Sequence, residues 1–134
     1  MTDVVRHSAI EQIATSKESI VPDPISAGLK AGWKVIDGAS LAADRQFDVD
    51  VVIIGTGAGG GVTAETLALA GLSVLMIEEG SLKSSRDFKM READAYPQLY
   101  QESAARKTLD KGINILQGRT VGGSTTINWT SSFR

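Results

Sequence analysis

Hydrophobic and polar positions change rhythm several times along the chain. Residues 1–21 carry a faint helical spacing, Ile10 and Ile13 set among Glu11, Gln12 and Lys17, and read as a mobile arm or short surface helix. In PDPISAGLKAGW, Asp23 is placed to cap a helix beginning at Pro24. Ile25, Leu29 and Trp33 then fall at four-residue spacing on one face, which is expected to dock on the main body. Asp37-Gly38 signals a turn. The strongest pattern is FDVDVVIIGTGAGGGVTAETLALAGLSVLMIEEG. Its residues 49–54 are a β-branched run bounded by glycine, as expected of a strand buried on both faces of a parallel sheet. A helix over residues 58–70 presents Val62, Leu67 and several alanines and stops at Gly71, and residues 73–77 form a second strand. Strand, tight turn, helix and strand fit the roughly 30 residues of a right-handed βαβ crossover.

From Ser81 the chain turns polar. Residues 86–96 and 97–107 read as two short helices divided by Pro97, which suits a first helical turn and not an interior one. Asp110-Lys111-Gly112 is a turn before a brief strand, INIL, at residues 113–116, after which Gly118 opens a second glycine-rich loop. The resulting division is residues 1–46, an arm and docking helix, and residues 47–134, a nucleotide-binding domain.

Composition narrows the chemistry. A hydrophobic share of 42% supports a modest core. Fourteen Lys and Arg against sixteen Asp and Glu leave a net charge of −2, and aromatics are 5%, so neither a basic face nor a stacking platform for nucleic acid can be assembled. With no cysteine, disulfides, thiolate zinc sites and cysteine nucleophiles are excluded, and no metal site is assigned. The first residues lack a signal-peptide core, and no run approaches the ~20 apolar residues of a membrane-spanning helix. A cytoplasmic protein without a transmembrane segment is the expectation.

Gly55, Gly57 and Gly60 match G-x-G-x-x-G directly after a predicted strand, and Glu78 stands at the end of the following one. Each has a mechanical task. Gly55 makes the sharp exit from the strand, Gly57 lets backbone approach a pyrophosphate, and Gly60 lets the helix lie close to the sheet. Ala58 and Gly59 open the helix, whose free N–H groups and positive dipole end favour phosphate. Glu78 can accept from ribose hydroxyls and would repel a 2′-phosphate, which disfavours NADP and leaves NAD and FAD. Glu79 points to the opposite side if the strand continues. These residues predict an α/β, Rossmann-like dinucleotide fold.

The second run, GRTVGGSTTINW, places Arg119, Gly122, Gly123, Ser124, Thr125, Thr126, Asn128 and Trp129 in a loop rich in backbone amides and small donors. Arg119 can neutralise a phosphate or pair with an acid. In order and spacing, DVVIIGTGAGGG, VLMIEEG and this run together resemble the amino-terminal FAD-binding segment of the glucose-methanol-choline (GMC) oxidoreductases, over residues 48–134. The NWTSSFR end resembles a bacterial branch of GMC dehydrogenases. The resemblance implies that Gly55, Gly57 and Gly60 form the pyrophosphate turn, that Glu78 serves the adenosine ribose, and that Gly122, Gly123, Ser124 and Asn128 lie along the pyrophosphate and flavin. Some members carry a flavin-bonded histidine just before that asparagine. Ile127 stands here, which implies noncovalent FAD. Beyond Asn128 the chain departs from the family pattern, with Ser132 and then Phe133 where an aromatic or alanine is frequent. Asn128-Trp129-Thr130 is also a glycosylation sequon, for which the flavin-loop reading is preferred.

The resemblance further implies oxidation of an alcohol by hydride transfer to the flavin, with reoxidation by an electron acceptor that the sequence does not identify. Its base would be a histidine far toward the carboxy terminus of a chain several times this long. The single histidine, His7, lies in the arm and outside every motif. The mixed charge run Arg86, Asp87, Lys89, Arg91, Glu92 and Asp94 reads as a solvated face. Tyr96 and Tyr100 suit packing more than a substrate passage. No catalytic residue is therefore assigned. The chain is expected to be the front part of an enzyme, inactive alone, with an incomplete sheet, exposed apolar edges and weak flavin retention. The competing readings are another FAD- or NAD-dependent oxidoreductase sharing the first loop, and a stand-alone nucleotide-binding module.

Overall fold

The computed structural model describes residues 22–128. Expectations for residues 1–21, including His7, and for residues 129–134, including Trp129, Ser132 and Phe133, lie outside the described residues. Those described divide into two units, residues 22–35 with 84–86 and residues 36–83 with 87–128.

In the first unit α1 spans Pro24–Lys30. The Asp23 carboxylate accepts from the Ser26 N–H at 2.9 Å and the Ser26 hydroxyl at 2.7 Å, the predicted cap. Arg86 stands 3.7 Å from the same carboxylate. The helix ends in a Schellman motif. Gly32, at φ +94°, donates to Leu29 O at 3.1 Å, and Trp33 N–H donates to Gly28 O at 3.0 Å. The expected stripe Ile25, Leu29, Trp33 is therefore cut short: Trp33 lies past the end, and its indole covers Gly28 so closely that a Cβ there would stand 2.3 Å away.

The second unit holds the crossover. β1 (Val51–Ile54) and β2 (Val74–Ile77) pair in parallel, Val51 opposite Val74 and Ile54 opposite Ile77, with α2 (Ala58–Leu69) between them in sequence. A polar clasp fixes where pairing starts. Ser73 donates N–H and O–H to Asp50 Oδ2 at 2.8 and 2.6 Å, and Asp50 N–H donates to Ser73 Oγ at 3.0 Å. Gly71 ends α2 as predicted, with its N–H on Ala68 O and that of Leu72 on Leu67 O, a second Schellman motif.

The strand expected to be buried on both faces is covered on one. Val51 and Ile53 are half-buried, whereas Val52 and Ile54 are exposed, because α2 packs on a single side and no described element covers the other. The fold is α/β with a two-stranded parallel sheet, which accords with an incomplete Rossmann-like sheet.

Residues after Ser81 depart further from expectation. One helix, α3 (Glu92–Leu99), replaces the predicted pair, and Pro97 sits inside it. A proline in the last turn forfeits the bond to the Ala93 carbonyl and crowds that carbonyl, and the buried Leu99 and Tyr100 anchor the exit. Residues 97–107 form no second helix. Glu102, Ser103 and Ala104 take left-handed φ values of 51°, 52° and 64°, and Arg106 braces that turn with bonds to Glu102 and Gln117. The expected INIL strand reduces to one antiparallel bridge, Lys107 to Asn114. Its turn is closed by Asp110, which accepts from Thr108 Oγ1 and Gly112 N–H, with Lys111 rather than Gly112 at positive φ.

Candidate cofactor-binding site

Gly55 leaves β1 at φ +94° while its N–H still bonds Ile77 O at 2.7 Å, so the chain turns sharply as soon as pairing ends. Gly57 is the N-cap of α2, and no side chain caps that end. The first N–H groups of α2, from Ala58 onward, are thus left without intrahelical acceptors. A Cβ on Gly60 would stand 2.1 Å from Gly55 O, which accounts for glycine where helix and strand approach. Around Gly57 and Gly59 the situation is reversed: a Cβ would meet nothing within 4 Å. The cradle is open toward an incoming group.

Glu78 stands directly after β2 and turns its carboxylate back to this loop. Oε2 accepts from the Thr56 N–H at 2.9 Å and the Thr56 hydroxyl at 2.7 Å, and Oε1 accepts from Gly80 N–H at 2.9 Å. Partial burial raises its pKa, but bonds from the Thr56 hydroxyl, the Gly80 amide and the Thr56 amide outweigh it, and the net value lies below the usual carboxylate range. A carboxylate has about four acceptor positions. The Thr56 and Gly80 groups take three, and the Glu79 amide also favours the charged form.

The second loop is fastened to both of these segments. Thr120, wholly buried, donates its hydroxyl to Ser81 O at 2.7 Å, and Val121 N–H reaches the same carbonyl at 3.2 Å. A Cβ on Gly80 would lie 2.3 Å from Thr120 N, so the two strands of backbone touch. Arg119 pairs with Glu79 at 3.1 Å, on the side of the chain away from the Glu78 bonds to the first loop. Gly122, left-handed at φ +90°, donates its N–H to Thr56 Oγ1 at 3.0 Å. A Cβ on Gly123 would stand 3.1 Å from Gly57 Cα.

The Thr125 and Thr126 hydroxyls differ from the free donors expected, and the Ser124 hydroxyl accepts a bond within the loop. Thr125 bonds Gly122 O, Thr126 donates to Val121 O at 2.8 Å, and Ser124 Oγ accepts from Gly118 N–H at 3.0 Å. They hold a short 3₁₀ turn, Gly123–Thr125, in shape. Asn128 follows, its N–H directed at Thr125 O at 3.4 Å.

Gly55, Gly57, Ala58, Gly59, Gly60, Glu78, Gly122 and Gly123 are thus brought together, Ser124 and Asn128 lie in the adjoining turn, and Arg119 pairs with Glu79. Thr56, Gly80 and Thr120 escaped the sequence reading. Thr56 occupies the variable place of G-x-G, where only its hydroxyl hinted at a role. Two backbone turns and an uncapped helix end fit a dinucleotide. Among the described residues no group of His, Asp or Glu is placed to hold a metal ion, and no helix is long and apolar enough to cross a membrane.

The family model described as GMC oxidoreductase matches residues 96–134. A long-chain-alcohol oxidase of Arabidopsis thaliana is 41% identical over 99 residues, 73% of this chain and 14% of that protein. An uncharacterized GMC-type oxidoreductase of Mycobacterium tuberculosis is 40% identical over 87 residues, 63% of this chain and 14% of the relative. The paromamine 6′-oxidase of Streptomyces fradiae is 46% identical over 59 residues, 44% and 10% respectively. The chain spans 11% to 16% of the length of four Arabidopsis long-chain-alcohol oxidases. No solved structure gives a significant match. With paired glycine loops meeting over Thr56 and these likenesses in hand, the chain belongs to the GMC oxidoreductases, as their amino-terminal segment.

Proposed function

We propose that the chain is the FAD-binding part of a flavin-dependent oxidoreductase that oxidises an alcohol, a CH–OH donor, and that it holds FAD noncovalently. The observation that carries this reading is the junction of the two loops, Gly122 N–H on Thr56 Oγ1 at 3.0 Å with Gly123 beside Gly57. A mononucleotide turn has no need of a second backbone cradle fastened to it. GMC oxidoreductases are FAD-dependent, and the relatives named long-chain-alcohol oxidases support an alcohol as substrate.

In this reading Gly55, Gly57, Ala58, Gly59 and Gly60 hold the pyrophosphate against the helix end. Glu78, ionised at neutral pH, accepts from a ribose hydroxyl and repels a 2′-phosphate. Arg119, Gly122, Gly123, Ser124, Asn128 and Trp129 serve the remaining length of the cofactor. Ile127 provides no nucleophile for a covalent link. FAD, when bound, supplies the hydride acceptor. This chain binds and orients it. No catalytic base is assigned here, and the isolated chain is expected to turn over no alcohol.

The test is a titration of the purified chain with FAD, NAD and NADP, followed by flavin fluorescence and calorimetry. FAD should bind, weakly, and NADP should not. Gly57→Val should reduce FAD affinity at least about tenfold while leaving the fold intact, since a Cβ there meets no protein atom. Binding of NAD in preference to FAD would sink the proposal.

A further inference from the structure

Gly122 and Gly123 are consecutive left-handed glycines, at φ +90° and +55°. Glycine enters this region without steric cost and leaves it as readily, so the path of the second loop here is set by what its backbone is tied to. The Thr125 and Thr126 hydroxyls tie the loop only to itself. The outward ties near Gly122 lead to the segment that carries Glu78. At the root of the loop, buried Thr120 donates to Ser81 O, and Gly80, whose amide holds Glu78 Oε1, lies against the Thr120 backbone with no room for a Cβ. Two residues on, Gly122 N–H donates to Thr56 Oγ1, and that hydroxyl donates to Glu78 Oε2 at 2.7 Å. Chemistry fixes the order of these bonds. A hydroxyl has one hydrogen and two lone pairs, and an ionised carboxylate only accepts, so the Thr56 hydrogen goes to Glu78 and a lone pair is left for the Gly122 amide. Donation to an anion polarises the hydroxyl and makes its oxygen a better acceptor. Two hydrogen bonds thus join the carboxylate assigned to the adenosine ribose to the loop assigned to the flavin side.

We propose that Thr56 is a positioning residue through which binding of the adenosine half of the cofactor sets the second loop for the flavin half. The inference rests on the FAD reading above and adds how that site is assembled. A ribose held at Glu78 fixes the carboxylate, the carboxylate fixes the Thr56 hydroxyl, and the hydroxyl holds Gly122 in its left-handed conformation. The second loop is then ordered as the adenosine half binds, and the flavin half meets a loop already in place.

The experiment compares the purified 134-residue chain with Thr56→Val and Thr56→Ser, using ADP as the probe of the adenosine half and FAD as the whole cofactor. Amide exchange is followed by NMR and affinity by calorimetry. In the parent, ADP should slow exchange at Gly122 and Gly123 at least about fivefold more than in the turn at residues 108–113, whose local bonds report any general stabilisation by ligand. Thr56→Val keeps the amide bond to Glu78 and should bind ADP like the parent. It should lose the effect of ADP on the second loop and bind FAD at least about fivefold more weakly. Thr56→Ser should restore both. A valine variant whose second loop still responds to ADP, or that binds FAD like the parent, overturns the proposal. Equal loss of ADP and FAD affinity in that variant also overturns it, by reducing Thr56 to a support of the first loop. ADP that slows exchange at residues 57–60 of the parent but not at Gly122 and Gly123 overturns it too, and leaves the FAD reading standing. A parent chain that binds neither ADP nor FAD overturns that reading, and this inference with it.

Discussion

Thr56 joins three segments through one side chain and its own amide: it donates N–H and O–H to Glu78 and accepts from Gly122 N–H. Thr56→Val keeps the shape but leaves the Gly122 amide and one carboxylate position without partners. A loss of about 1–2 kcal/mol in urea unfolding is expected, whereas Thr56→Ser, which keeps the hydroxyl, should stay close to the parent. The acid range offers a second test at this scale. Glu78 and Asp50 both have pKa values below the ordinary carboxylate range, Glu78 despite partial burial and Asp50 through the Ser73 hydroxyl and amide. A depressed folded-state pKa contributes stability that is present above the ordinary value and is lost as pH falls through the folded one. Urea midpoints should therefore be level near neutrality and decline below about pH 4.5, and Glu78→Gln should decline less steeply. The structural tasks of Gly55 and Gly60 were legible because G-x-G-x-x-G encodes a local path. The Thr56 bridge was not, because its partner Gly122 arrives 66 residues later and nothing local marks the pair.

Among elements, the crossover was readable from pattern and termination alone: a β-branched run marked the first strand, the short apolar run VLMI the second, and Gly71 ended α2 where a left-handed residue was needed. Trp33 was misplaced because four-residue spacing says nothing about where a helix stops, and Gly32 stops α1 first. Residues 86–107 were misread for a related reason. In sequence Pro97 reads as a boundary, yet in a helix as short as Glu92–Leu99 its cost is one lost bond plus a steric clash, which the buried Leu99 and Tyr100 offset. That cost remains available for recovery. Pro97→Ala restores an N–H for the Ala93 carbonyl and relieves the clash, a gain approaching ~3 kcal/mol at a central site and reduced by roughly 0.4–1 through the looser unfolded chain. Thermal unfolding should show a net stabilisation of about 1–2 kcal/mol. A destabilised variant would mean that the proline kink itself positions Tyr100.

At the scale of the whole molecule, apolar surface is left uncovered. Ile54, at the end of β1, is 86% exposed and Leu69, at the end of α2, is 82% exposed, and the outer face of the two-stranded sheet meets no described element. Such a surface associates. Sedimentation velocity should show the weight-average mass rising with concentration, and Ile54→Lys should shift the distribution toward monomer. Parity along the strand implied this much once one face was known, although the sequence reading assumed both faces were covered. The clasp of Asp50 and Ser73 bears on the same surface from the other end of the strands. By tying the two chain segments at the point where pairing begins, it denies them the freedom to slide past each other by a residue. Ser73→Ala should then loosen the alignment of the sheet before it loosens the helix, so amide protons of β1 would exchange with solvent sooner than those of α2.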